Sequence, residues 1–146
     1  MQLSKNFSLA ELTESQTGRR HNIKEQFNPP QEVITNLKEL CEKVLQPIRD
    51  KVGAIKVSSG YRSPQVNKIV GGATSSQHLT GEAVDISGVN VSNKVLFDTI
   101  IKMMNDANLP VDQIIHEYGT KSNPAWVHVS YTSNRKARKQ VLYIGI

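Results

Sequence analysis

Four histidines, His21, His78, His116 and His128, are the residues of this sequence best suited to hold a borderline metal ion or to carry a proton near neutral pH. Two of them stand in settings that suit a ligand. His78 follows Ser75-Ser76-Gln77 in a polar loop, and Asp85 lies beyond Gly81 in the apolar run Ala83-Val84-Asp85-Ile86. A ligand on a loop and another on the following strand can converge on one ion, and a glycine between them lets the backbone turn tightly. His128 sits in Trp126-Val127-His128-Val129-Ser130. The two-residue period of a strand puts Trp126, His128 and Ser130 on one face and the two valines on the other, toward a core. Two imidazoles and one carboxylate would give zinc three protein ligands and leave a fourth position for water, which is the arrangement of a catalytic rather than a closed structural site. Spacing alone does not separate this reading from three unrelated polar side chains.

The other reactive side chains read as structural. His116 neighbours Glu117 in Ile114-Ile115-His116-Glu117-Tyr118, and alternation along a strand points the two to opposite faces. His21 lies in a polar segment with Arg19 and Arg20 and has no evident partner. The single cysteine, Cys41, belongs to the series Val33, Leu37, Leu40, Cys41, Val44, Leu45, Ile48, which has the spacing of one helix face. It reads as a buried core thiol with no activating base nearby in sequence. Glu82 reads as a surface side chain.

The elements that must position these residues are mostly marked by their ends. Ser8 with Glu11 three positions on forms a capping-box pattern for a short helix. Asn28-Pro29-Pro30 disfavours helix ahead of it and permits one over residues 31 to 50, the longest in the chain. Ala54 to Ser58 alternates as a short strand broken at Gly60; Ser63-Pro64 opens a brief helix through Val70 that Gly71-Gly72 ends. Ala83 to Ile86 is a second strand, and Ser92 caps an amphipathic helix ending near Asn108 and Pro110. Gln113 to Tyr118, Trp126 to Tyr131 and Gln140 to Ile144 are three runs rich in β-branched and aromatic residues, which suggests an antiparallel meander. The scatter of strands among helices predicts an α+β domain, a small antiparallel sheet flanked by helices, rather than repeated parallel units.

A length of 146 residues predicts a single domain, residues 1 to 146, able to bury its own core without a disulfide. With 38% hydrophobic and 21% charged residues the composition is that of an ordinary globular protein, and no apolar run is long enough for a membrane span. Integral membrane association is therefore not expected. Met1 to Glu11 lacks the basic start and apolar stretch of a secretory signal, so the chain is expected to be made in the cytoplasm without one. A net charge of +5 favours polyanionic partners. Nucleic acid is not expected, since basic and aromatic residues are not interleaved.

Three segments, in order, carry a resemblance. Ser58-Ser59-Gly60-Tyr61-Arg62-Ser63-Pro64, then Ser76-Gln77-His78-Leu79-Thr80-Gly81-Glu82-Ala83-Val84-Asp85-Ile86, then Trp126-Val127-His128-Val129-Ser130 closely resemble the zinc D-Ala-D-Ala carboxypeptidases of metallopeptidase family fifteen. Phage endolysins and prophage proteins of subfamily A look most similar, and the likeness extends from Asn6 through Asn67, Val70-Gly71-Gly72 and the helix ending Leu45 to Asp50. The resemblance implies a hedgehog/DD-peptidase-like fold and Zn²⁺ on His78, Asp85 and His128. It implies that Arg62 contacts substrate and helps stabilise the oxyanion, a role suited to a guanidinium's planar paired donors. Many relatives place an acidic residue three positions before the last zinc histidine, but that position here is Ala125. The replacement read from this sequence is Glu117, on a strand expected to pair with the one bearing His128. Related hedgehog-type zinc domains carry a comparable glutamate there.

The expected function is hydrolysis of the peptide part of bacterial peptidoglycan, as a carboxypeptidase or endolysin-like endopeptidase. The substrate would be a stem peptide or cross-bridge, the protein a monomer, and its origin a phage or prophage with action on the wall after release. The alternative is a zinc-containing peptidoglycan-binding module with little or no activity, which Ala125 favours. Trp126 and Tyr61 read as cleft or core residues. The cluster Arg135, Lys136, Arg138, Lys139 reads as a solvated turn or as a hold on anionic cell wall.

Overall fold

The computed structural model describes residues 1–146. Strands β1 (Gln2–Ser4) and β2 (Phe7–Ser8) pair antiparallel in a small ribbon. Helix α1 (Leu9–Thr13) follows directly, capped by Ser8, whose hydroxyl accepts from the Glu11 backbone N–H at 3.2 Å. Helix α2 (Gln16–Arg20) follows where no element was expected, with the Ser15 hydroxyl accepting from the Gly18 N–H at 3.0 Å. A 3₁₀ turn, Lys24–Phe27, leads to the two prolines.

The long helix appears as expected but is not uniform. It runs as α3 (Gln31–Leu40), a π turn (Cys41–Leu45) and α4 (Gln46–Val52). The widened turn sits directly ahead of Pro47, which has no N–H to continue the ladder and whose ring crowds the carbonyl one turn back. Its inward face, Val33, Leu37, Leu40, Cys41, Val44, Leu45 and Ile48, lies in the core, and burial pushes the Cys41 thiol up to about 12. A thiol so protonated is no nucleophile at neutral pH.

Next come β3 (Ile55–Ser59), α5 (Pro64–Ile69), a 3₁₀ turn at Gln77–Thr80, β4 (Ala83–Gly88) and α6 (Asn93–Asp106). The last three strands are β5 (Gln113–Glu117), β6 (Trp126–Ser130) and β7 (Gln140–Ile144). The main sheet has the order β3-β4-β6-β5-β7. Its first four strands are antiparallel, but β7 pairs parallel with β5, so the expected antiparallel meander and wholly antiparallel sheet are corrected. The reason is that β6 already has β4 on one edge and β5 on the other. A strand following β6 finds no free edge beside it; here it crosses to the open edge of β5 and runs in the same direction as β5.

The two faces of this sheet have different tasks. Val84, Ile86, Ile114, Val127 and Val129 are fully buried in one core with Leu96, Phe97, Ile100 and Met104 of α6. Alternation sends their neighbours Asp85, Ile115, Glu117 and His128 to the other face. Register then aligns them: Ser59 opposes Asp85, Asp85 opposes His128, His128 opposes Ile115, and Trp126 opposes Glu117. No helix is long and apolar enough to cross a membrane.

Candidate metal centre

Asp85 and His128 meet because their strands are neighbours in register. His128 Nδ1 lies 3.0 Å from Asp85 Oδ1. His78 comes from outside the sheet, on the 3₁₀ turn Gln77–Thr80, which the Ser76 hydroxyl caps by accepting from the His78 N–H at 3.2 Å. Its Nε2 lies 3.4 Å from the same Asp85 oxygen. The turn ends on Gly81 with φ +75°, where a side chain would also press on the Val33 carbonyl, so only glycine serves at the step from turn to strand.

The three candidate ligand atoms lie within 4.8 Å of one another. Donors about 2.05 Å from one tetrahedral zinc ion are separated by about 3.3 Å, close to the two shorter distances here. The protonation pattern also fits. His78 Nδ1 lies 2.7 Å from the Gly60 carbonyl oxygen, which can only accept, so Nδ1 carries the proton and Nε2 keeps its lone pair for a metal. Burial opposes the charge on Asp85, but His128 and His78, which donate to it and carry charge when protonated, outweigh burial and hold the carboxyl well below the usual range. An anionic carboxylate between two imidazoles is a donor set for a borderline divalent ion.

Around this set stand the two other residues of interest. Glu117 Oε2 is 3.7 Å from His128 Nδ1 and accepts from the Trp126 indole N–H at 3.2 Å. Burial and then the charge of Asp85 push its carboxyl up, against the opposing pull of His128, the Trp126 bond and His78. A dication on the neighbouring ligands would act in the opposite direction. Arg62 Nη2 is 3.6 Å from Asp85 Oδ2, while its Nε donates to Ser59 Oγ at 3.2 Å and its Nη1 to Asn67 Oδ1 at 3.3 Å. The structure thus brings His78, Asp85, His128, Glu117 and Arg62 together from five separate segments.

The remaining candidates fall elsewhere. His21 is exposed at the end of α2. His116 is fully buried on the opposite face of the sheet, between Phe97 (5.3 Å) and Tyr143 (5.2 Å), with no hydrogen bond to either ring nitrogen. Tyr61 is buried in the core, and Trp126 is a partner of Glu117. Glu82 is not the surface side chain its sequence position suggested: it is buried and accepts from the Thr80 hydroxyl. The basic cluster is exposed, as a solvated turn would be, but Arg135 and Arg138 also pair with the buried Asp112.

Two supporting residues were not legible as such. Gln26, fully buried, donates to the carbonyls of Thr13 (2.8 Å) and Tyr61 (2.9 Å) and accepts from the Ser63 N–H (2.8 Å). It thereby clamps the backbone on both sides of Arg62. Asp112, also fully buried, takes hydrogen bonds from Gln77, Arg135 and Arg138 and ties the C-terminal segment to the turn that carries His78. Neither shows a periodic or motif signal in one sequence.

The model of the Peptidase M15 family matches residues 5–130, and the chain belongs to that family. The match spans all five residues gathered at the centre. Among curated proteins, none matches the chain. Peptidases of this family are typically metal-dependent, and the cluster of His78, Asp85 and His128 is where this chain could hold the ion.

Proposed function

We propose that this chain is a zinc-dependent peptidase of the hedgehog/DD-peptidase type that hydrolyses the peptide part of bacterial peptidoglycan. The observation that carries this reading is the convergence of one ligand atom each from His78, Asp85 and His128 within 4.8 Å, with a carboxylate and a guanidinium beside them. Bound there, Zn²⁺ supplies Lewis acidity toward a peptide carbonyl and toward water. Glu117 takes the proton from the attacking water and returns it to the leaving amine, which its position beside His128 supports. Trp126 orients that carboxylate through its indole N–H. Arg62, fixed by Ser59 and Asn67, steadies a substrate carboxylate or the developing oxyanion. Gly60 and Gln26 keep the segment bearing Arg62 and the ring of His78 in place.

The acid–base position left vacant at Ala125 is the one feature that favours a binding module. Glu117, on the neighbouring strand and within 3.7 Å of His128, supplies the missing carboxylate and favours the enzyme. Mass spectrometry of products from defined muropeptides, on protein of measured zinc content, tests the reading. New amino termini from a stem peptide or cross-bridge support it. Stoichiometric zinc without products from any peptidoglycan chemotype would leave the binding module. We further propose a phage or prophage origin, with a chain made in the bacterial cytoplasm, acting as a monomer on the wall after release.

A further inference from the structure

Beside the metal centre lies a cleft of about 550 Å³ whose lining includes Gln77, Glu82, His128, Thr132, Arg135 and Arg138. His128 is common to both, so whatever fills this cleft lies next to the reacting bond. Thr132, Arg135 and Arg138 follow residue 130, where the family match ends. This wall is therefore a feature of the chain outside the shared motifs.

The two arginines on it are prepositioned. Asp112, behind them and fully buried, accepts from Arg135 Nη2 at 2.7 Å, from Arg138 Nη2 at 2.8 Å and Nε at 3.0 Å, and from the Arg138 backbone N–H at 3.1 Å. Gln77 Nε2 adds a weaker contact at 3.3 Å. One carboxylate balances only one of the two guanidiniums. A guanidinium has five N–H donors; Asp112 occupies one of those on Arg135 and two on Arg138, and both side chains remain over two-fifths exposed, at 46% and 41%. Glu82, the one acidic side chain on the lining, is buried and engaged by Thr80, so the charge this wall turns to solvent is that of the arginines. Holding the forks in place in advance removes much of the ordering cost of binding an anion.

We propose that Arg135 and Arg138 form a subsite that binds a free carboxylate of the substrate peptide next to the scissile bond, an inference that rests on the peptidase reading above. Planar paired donors suit a carboxylate, and a peptide substrate offers that group in two places, at its C-terminus and on an acidic residue within it. The pair is thus a specificity determinant of the cleft, separate from the Arg62 side of the centre.

Three synthetic peptides decide it: L-Ala-γ-D-Glu-L-Lys-D-Ala-D-Ala with both carboxyls free, the same peptide amidated at the C-terminus, and the same peptide amidated at the α-carboxyl of D-Glu. Binding to the zinc-loaded protein is measured by calorimetry, and KM and kcat wherever turnover occurs. One of the two amidations is expected to weaken binding about tenfold, and which one identifies the carboxylate. Arg135→Gln, which loses a single bond to Asp112, should weaken binding of the free peptide by a similar factor and abolish the discrimination. Arg135→Lys, which keeps the charge without the fork, should recover only part of the loss and serves if the Gln variant melts early. Equal binding of all three peptides by the wild type, including no binding of any, would overturn the subsite. So would an equal loss for all three in Arg135→Gln. Binding that discriminates without turnover would instead count against the peptidase reading and leave the subsite standing.

Discussion

His78 Nδ1 donates to the carbonyl oxygen of Gly60 at 2.7 Å, across 18 residues of sequence. That one bond fixes the tautomer and the ring angle of a candidate ligand, and it is why the Ser-Gly-Tyr-Arg segment and the His78 turn act as one unit. A Cβ at Gly60 would collide with the Leu12 carbonyl, so Gly60→Ala must shift this backbone. Zinc affinity is expected to fall about ten- to a hundredfold, the usual effect of disturbing a ligand's supporting bond. Chelator competition measures it, and an unchanged affinity would show that the Gly60 carbonyl does not orient the ring.

His78→Ala, Asp85→Ala and His128→Ala should each lower bound zinc and abolish turnover. Because the core cluster of 24 buried residues excludes all three, the apo variants should keep the far-ultraviolet circular dichroism of the wild type. Full zinc content in any of them, by atomic absorption, would remove that residue from the ligand set.

Glu117→Gln should retain zinc and fold normally while turnover falls about a hundredfold or more, the usual contribution of a positioned acid–base group. Glutamine keeps the shape and can still accept from Trp126, but it cannot take the proton. Glu82→Gln is the control and should stay within a few-fold of wild type, since its carboxylate is engaged by Thr80. Near-normal rates in Glu117→Gln, or a large loss in Glu82→Gln, would move the base to another residue.

Asp112 makes a prediction about acid. Burial opposes its charge, but the hydrogen bonds and charge of Arg138, followed by the charge of Arg135, outweigh it and lower the carboxyl below its ordinary 3.8. A depressed folded value means that the stabilisation is fully present above about pH 4, the unfolded range, and is lost as pH falls through the folded value. Wild type should therefore be more stable than Asp112→Asn at pH 7, and the gap in urea midpoint should close as pH drops below about 4. A gap that stays constant would mean that the ion pairs with Arg135 and Arg138 carry none of it.

The residue pattern by itself determined the parts of this protein that depend on local chemistry. Loop, glycine and strand spacing, written in consecutive residues, made His78, Asp85 and His128 candidates, the resemblance of three segments made them a ligand set, and the alternation of Trp126 to Ser130 announced its buried and open faces. The helix caps at Ser8, Ser63 and Ser92 were legible for the same reason, since each acts on residues within one turn. What the tertiary structure decided was every relation between segments distant in the chain. Strand β7 runs parallel because both edges of β6 are taken, a matter of sheet order that no periodicity encodes. Gln26, Glu82 and Asp112 look like surface residues in sequence, because polar side chains usually are. Folding buries them against backbone groups and charges that need partners, and a buried polar group must be paired. The pairing of Arg135 and Arg138 with Asp112, which turns a run of basic residues into the wall of a cleft, exists only once β5 and the segment after β6 lie side by side.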